Sequence, residues 1–479
     1  MIIYFCFLII EIFLFLTAPS NMEKSFMTYC LLAVLAQLVI FFRFDKKSKV
    51  HSLKGIYLRH TSIFLACFFV VFFQCNIDYV IGLIDSSNKM LWIETNIVCK
   101  SLALSTIALS SILIGYKLLQ NRDIESPIIK ESHYDYICSA KHYVCILGYA
   151  MLAFYLIFVP RDYLYGGYNE GVDRGWVNVV LVLLQAVFLG MFALYCYDFR
   201  RSKERKSFFK ELKFPVLLIL FYMAIVLITG RRTEAVRAAL LLVIVYSYSM
   251  GKNASNKFVL LYFFAAAIIF SVVGILRMGE VKGFNQGIEA ASETTSFSPF
   301  TRELAGSVNT LHVAVSHFPD VVDYNHGITF FPSFFVLVPG LDRFYQAYIV
   351  EGDVPLRSGQ VITTLNLGPN ASYGMGSSIV ADVYISFGPI GVVIVFVLLG
   401  MFLRYLEVGT FCIDKSPLFL VLSFGCCSQF MFACRGSVAI MFLSWSYGTI
   451  LVFLLVRRKI KLQHIESFNK KLSRRFSLS

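Results

Sequence analysis

Runs of roughly 17–24 mainly apolar residues recur from one end of the 479-residue chain to the other, each long enough to cross a hydrocarbon layer about 30 Å thick. A backbone in lipid has no water to bond, so it must close its hydrogen bonds within a helix or a sealed barrel. The runs are continuously apolar and lack the alternation of barrel strands, which leaves helices. About twelve spans are expected, near Ile2–Ala18, Phe26–Phe42, Thr61–Ile84, Ile97–Leu118, Val144–Pro160, Val177–Tyr197, Pro215–Thr229, Val236–Met250, Phe258–Leu276, Ser378–Leu406, Pro417–Ala433 and Ser437–Val456. Charged residues make up 15% of the chain, against about 25% in a soluble globular protein. The expected fold class is all-α, a polytopic membrane protein. The first run contains Glu11, lacks a basic start and leads into further spans, so it reads as an uncleaved helix rather than a signal segment.

Orientation follows from Lys and Arg in the links, because basic residues are retained on the cytoplasmic side. Arg43 to Arg59 holds about six basic residues, Arg200 to Lys213 about seven and the tail from Arg457 to Arg475 about eight, all on one side of a twelve-helix count. Both termini are then cytoplasmic, with roughly 29 basic residues inside and roughly 14 outside. The expected organisation is helices one to nine in 1–276, a large outer loop in 277–377, helices ten to twelve in 378–456 and a basic cytoplasmic tail in 457–479. The net charge of +13 calls for no nucleic-acid partner, since a basic inner face suits the anionic lipid bilayer it lies against.

Against that background the eight residues Gly230 to Arg237 (GRRTEAVR) stand out, with Arg231, Arg232 and Arg237 placed on the outer face, where positive charge is sparse. Outside, Arg outnumbers Lys by about 10 to 4, whereas inside Lys leads by about 18 to 11. Arginine presents a planar fork of donors that grips phosphate and keeps its charge near lipid, so the bias fits an outward phosphate site. The same side chains would also serve as plain head-group anchors. Helix polarity strengthens the first reading. The eighth span starts outside, with Thr233 as the expected N-cap, so its free N–H groups point where the arginines are. Arg435, Gly436 and Ser437 repeat the arrangement before the twelfth span, and Gly374 to Ser378 (GMGSS) lead into the tenth with glycines that permit close backbone approach.

The outer loop carries the remaining candidates. Phe284 to Phe297 is polar and reads as a lid or connector. In TRELAGSVNTLHVAVSHF, Phe300, Leu304, Val308, Leu311 and Val315 recur at helical spacing, leaving Arg302, Glu303 and Thr310 on other faces; such a helix can lie along the membrane surface. Phe330 to Pro339 (FFPSFFVLVP) is too short to span and reads as re-entrant or interfacial. The twelve cysteines lie mostly in apolar spans without metal-ligand spacing, and read as packing residues.

The stretches GRRTEAVRAALL, TREL, GMGSSIVADVYISFGPIGVVIVFVLLG and the late RGS resemble Wzy-type O-antigen or oligosaccharide repeat-unit polymerases, from about Gly230 to the C-terminus. Asp382 stands where many relatives have Glu. The resemblance implies a membrane glycosyltransferase of GT-C-like architecture on the periplasmic face of the bacterial inner membrane. Undecaprenyl-pyrophosphate-linked oligosaccharides would be both donor and acceptor, and a polysaccharide chain-length regulator a partner. A sugar hydroxyl of one unit then attacks the anomeric carbon of the growing chain, and a lipid pyrophosphate leaves. That leaving group needs charge neutralisation more than protonation, so no cofactor or metal is expected, and Arg231, Arg232, Arg237, Arg302 and Arg435 are the candidates to supply it. The general base for the acceptor hydroxyl is sought among Glu303, Asp382 and His312, in that order. Each has an ordinary alternative: Glu303 an exposed charge, Asp382 part of a helix entrance, His312 a packed ring. Asp78 and Glu11 read as structural.

Two other classes fit the same outline. Twelve helices with both ends inside suit a secondary carrier or a flippase of lipid-linked sugars, but the long loop follows helix nine rather than separating two repeats. An O-antigen ligase shares donor and plan and differs in its acceptor.

Overall fold

The computed structural model describes residues 1–45, 58–88, 92–120, 134–159, 175–201, 207–228, 231–251, 305–338, 341, 344–345, 357–371, 373–411, 416–443 and 447–454. Every element among them is helical, with no strand. In order they are α1 (Ile2–Leu16), α2 (Lys24–Asp45), α3 (His60–Phe72), α4 (Gln74–Val80), α5 (Val98–Leu118), α6 (Tyr134–Phe158), α7 (Gly175–Arg201), α8 (Lys213–Ile228), α9 (Arg232–Met250), α10 (Val308–His317), α11 (Ser358–Leu367), α12 (Ile379–Phe411) and α13 (Pro417–Cys434), with short 3-10 turns between them. Among the described residues seven helices are long and apolar enough to cross a membrane; α3 and α4 form a further pair bent by 49°, and Ile2–Leu16, Lys213–Leu227 and Val438–Leu454 are shorter apolar helices. Eleven of the expected spans coincide with these, and the remaining one, the ninth at Phe258–Leu276, lies outside the described residues. Among the described residues ten cysteines form no disulfide and nine of them are buried, in keeping with a packing role.

The chain divides into two compact units: residues 1–124, 252–412 and 427–441 in the first, and 125–251, 413–426 and 442–479 in the second.

The first unit is built around α5, which is buried along nearly its whole length. A helix covered on all sides must be apolar all round or satisfy its polar groups itself. α5 does the latter for three of its hydroxyls: Ser105 Oγ donates to Ser101 O at 3.0 Å, Thr106 Oγ1 to Ala103 O at 2.7 Å and Ser111 Oγ to Ile107 O at 2.7 Å. Near their C-terminal ends α5 and α12 cross at backbone contact. A Cβ on Gly115 would stand 1.9 Å from Val397 O, and one on Gly400 would stand 2.0 Å from Ile112 O. Small residues at a crossing are how helices without a hydrophobic drive in lipid approach closely.

Two buried polar knots pin this unit. On α1, α2 and α5, Glu11, Gln37 and Ser110 meet at 2.5–2.6 Å, which makes Glu11 structural, as expected. Farther along, Glu407 of α12 accepts from Arg59 Nη1 at 3.0 Å, Tyr116 Oη at 2.8 Å and Arg404 Nη1 at 3.3 Å on one oxygen, and from Thr61 Oγ1 at 2.8 Å on the other. A charged group in an apolar bundle is tolerable only with such partners.

α12 is interrupted at Gly388 (φ 66°), followed by Pro389. Proline has no N–H for the carbonyl four residues earlier, that of Ile385. Asn325 N fills the gap, donating to Ile385 O at 3.1 Å. The turn presenting it is closed by its own side chain, with Gly327 N donating to Asn325 Oδ1 and Asn325 Nδ2 to Thr329 Oγ1. Beside it, Tyr384 Oη donates to Phe318 O at 2.9 Å, and Phe330 and Phe331 pack edge-on against Phe387. FFPSFFVLVP is thus a 3-10 turn, Pro332–Leu337, leading away from an aromatic anchor on α12.

The second unit packs α6, α7, α8 and α9, with α6 against α7 and α8 against α9. Gly448, in the last helix, sits against Leu189 and Val421, where a Cβ would come 2.9 Å from Val421 Cγ1.

Candidate functional site

In the second unit the arginine-bearing end of α9 is formed as the sequence indicates, with one correction. The helix begins at Arg232, Arg231 takes the N-cap position and no side chain caps it. Thr233 is not the cap: it lies exposed in the first turn, because helical geometry starts a residue earlier. Arg231 is partly exposed, and the side chain of Arg232 lies outside the described residues. Arg237 Nη1 donates to Glu234 Oε1 at 2.8 Å, an i,i+3 pair, and Gln185 Nε2 of α7 donates to Glu234 Oε2. Three arginines and one glutamate therefore share two turns of helix, with Arg237 already held by that glutamate. Glu234 was legible in the sequence at this spacing; Gln185, 49 residues away, was not.

In the first unit Asp382 lies one turn into α12, 0% exposed, with neither carboxylate oxygen in a hydrogen bond. Its surroundings are serines. Ser358, at the start of α11, interacts with the carboxylate and donates to Ser377 Oγ at 3.0 Å; Ser378 caps α12, accepting Ala381 N at 3.4 Å. α11 reaches this place through the glycines of GMGSS. Gly376 has φ 76°, which favours glycine, and a Cβ on Gly359 would stand 3.1 Å from Gly376 C and push the two backbones apart by a few tenths of an ångström.

Glu303 and Arg302 lie outside the described residues, but the segment four places after Glu303 does not. Ser307 Oγ, just ahead of α10, accepts from Arg435 Nε at 2.9 Å. Arg435 follows α13 and so joins the RGS turn to the entrance of α10, while Val438–Phe442 behind it is a 3-10 turn. α10 itself does not lie open on a surface. Val308 to Val315 are buried on every face, including Thr310, whose hydroxyl donates to Ser307 O at 2.7 Å, because α5, α11 and α12 pack around it. His312 is part of that core. Its ring stacks on Trp92 at 6.1 Å, and burial pushes its pKa down to about 3, which keeps the imidazole neutral and weakly basic. Trp92 carried no signal in the sequence beyond its size.

The candidates thus fall into two groups. Arg231 and Arg237 with Glu234 and Gln185 belong to the second unit; Asp382, His312 and Arg435 with Ser307, Ser358 and Ser377 belong to the first. Chemically, the first group offers cationic donors at a helix N-terminus, suited to an anion, and the second an unbonded carboxylate among hydroxyls, suited to taking a proton.

A search of curated proteins finds no match, nor does a search of solved structures. The family model for O-antigen polysaccharide polymerase Wzy matches residues 1–464. Helical spans, arginines at the start of a helix, an enclosed carboxylate and that match along nearly the full length agree, and the chain belongs to the Wzy O-antigen polysaccharide polymerase family.

Proposed function

We propose that the chain joins undecaprenyl-pyrophosphate-linked oligosaccharide repeat units into a surface polysaccharide on the periplasmic face of the inner membrane, with about twelve helices and both termini cytoplasmic. The observation that carries this reading is the family match over residues 1–464.

The residues have the following roles in it. Arg231 and Arg232, at the start of α9, take the pyrophosphate of the donor and neutralise the charge that develops as the anomeric carbon–oxygen bond breaks. Arg237, held by Glu234, sets the local field and keeps that turn in place. Asp382 accepts the proton of the attacking sugar hydroxyl, and Ser358 and Ser377 orient it. Glu303 and Arg302 retain their proposed roles as alternative base and phosphate ligand; Arg435 reaches the same segment through Ser307. His312 serves packing. A chain-length regulator is the expected protein partner.

Deletion tests the reaction class: loss of a polymerase leaves surface glycan one repeat unit long, whereas loss of a flippase or ligase leaves none. Substitution tests the site. Arg231→Ala and Arg232→Ala are expected to abolish long polysaccharide, with partial retention in the Lys variants. Long chains in all four would remove the pyrophosphate role.

A further inference from the structure

We infer that Tyr155 and Tyr222 extend the anion site of α9 into the interior of its helix bundle, where their hydroxyls donate to phosphate oxygens of a lipid pyrophosphate. This rests on the role proposed for α9.

Four helices of the second unit each bring a polar group to one place: Tyr155 from α6, Gln185 from α7, Tyr222 from α8 and Glu234 from α9. Tyr155 lies in the field of Arg231 and Glu234, and Tyr222 in that of Glu234, Arg237 and Tyr155. The carboxylate is bonded on both oxygens, one by Arg237 and the other by Gln185. The phenols are not. Tyr155 is 0% exposed and Tyr222 1%, and neither hydroxyl meets a partner at hydrogen-bond geometry, although the Gln185 amide stands beside Tyr222.

Buried polar groups are nearly always bonded, so two unbonded hydroxyls converging from separate helices beside arginines mark a place for a ligand. Its chemistry follows from what is left over. What this helix end holds in excess is donors, since each phenol brings an O–H and each arginine several N–H groups. Three arginines against one glutamate at the start of α9 make the preferred acceptor anionic. Non-bridging phosphate oxygens accept from several donors at once.

The test is titration of the full-length protein in nanodiscs with undecaprenyl pyrophosphate, comparing wild type, Tyr155→Phe, Tyr222→Phe and Arg231→Ala. Each Phe variant is expected to bind about tenfold more weakly. Its thermal midpoint without ligand should be unchanged or raised, since no internal bond is lost. If both Phe variants bind as wild type while Arg231→Ala weakens, the inference is overturned and the role of α9 stands. If Arg231→Ala also binds as wild type, both fall. Weaker binding with a lowered unliganded midpoint would make the phenols structural and overturn the inference too.

Discussion

Ser110 Oγ lies 2.5 Å from Glu11 Oε2, inside a three-membered ring that Gln37 completes. Gln37 Nε2 donates to Glu11 Oε1 at 2.6 Å, and Ser110 Oγ stands 2.6 Å from Gln37 Oε1. Ser110 has one proton and faces two acceptors, so an ionised Glu11 would leave one short oxygen–oxygen contact without a hydrogen. A proton on Glu11 closes the ring, with Glu11 donating to Ser110, Ser110 to Gln37 and Gln37 to Glu11; turning the Gln37 amide over leaves the same requirement. Glu11→Gln is therefore expected to fold and polymerise like wild type. Glu11→Ala, which orphans two buried groups, should lose about 1–3 kcal/mol. Infrared difference spectra of wild type against Glu11→Gln should show a protonated carboxyl stretch, and its absence would refute the proton count.

Gly115→Ala and Gly400→Ala each place a methyl where backbone already stands, 1.9 Å and 2.0 Å from a carbonyl oxygen. Separating α5 from α12 should cost about 1–3 kcal/mol or more. Thermal unfolding in detergent measures it, with Gly82→Ala, a position with open space but φ 83°, as a comparison for backbone strain alone.

Glu407 holds Arg59 and Arg404 together. Glu407→Ala leaves both guanidinium groups without their carboxylate, and the expected loss is about 3–5 kcal/mol. Membrane yield and thermal midpoint should fall together. Glu407→Gln keeps the shape but not the charge and should also destabilise, which separates the ionic contribution from packing.

His312 predicts a pH dependence. Its folded pKa, about 3, lies below the ordinary 6.5 because burial penalises the cation. The unfolded chain then binds a proton that the folded chain does not, so stability is full above pH 6.5 and falls as pH drops towards 3, by about 1.4 kcal/mol per unit. Thermal midpoints across this window should slope less steeply for His312→Gln; parallel slopes would assign the acid sensitivity elsewhere.

Asp382→Asn preserves the size of a buried side chain and removes its basicity. Under the proposed function it should lower polymer formation by about 10²–10⁴-fold at unchanged protein level. Full polymer length in this variant would leave Asp382 with a structural role.

The spans were legible because lipid imposes one periodicity and one length, and a run such as Val98–Leu118 states both. The arginine end of α9 was legible because charge in such a place is rare. What holds the helices together was not. Arg59 and Glu407 are 348 residues apart, and Ser110 and Glu11 are 99 apart, so no local window contains both partners. Asp382 could be singled out as a carboxylate in an apolar run with Ser377 and Ser378 just ahead of it, but Ser358 comes from α11, 19 residues before Ser377. Thr233 misled because its residue type favours a cap while the backbone had already turned helical.

Pro389 leaves one carbonyl in α12 without its helical donor, and a turn some sixty residues earlier in the chain supplies the replacement at Asn325. Helix and turn are thereby coupled: withdrawing the turn would strand a polar oxygen where water is scarce, so the two should open together or not at all. The backbone amide of Asn325 then works as a gauge. Its exchange with solvent deuterium should proceed at the rate at which the segment of α12 ahead of Gly388 comes loose, and that is the segment that carries Asp382.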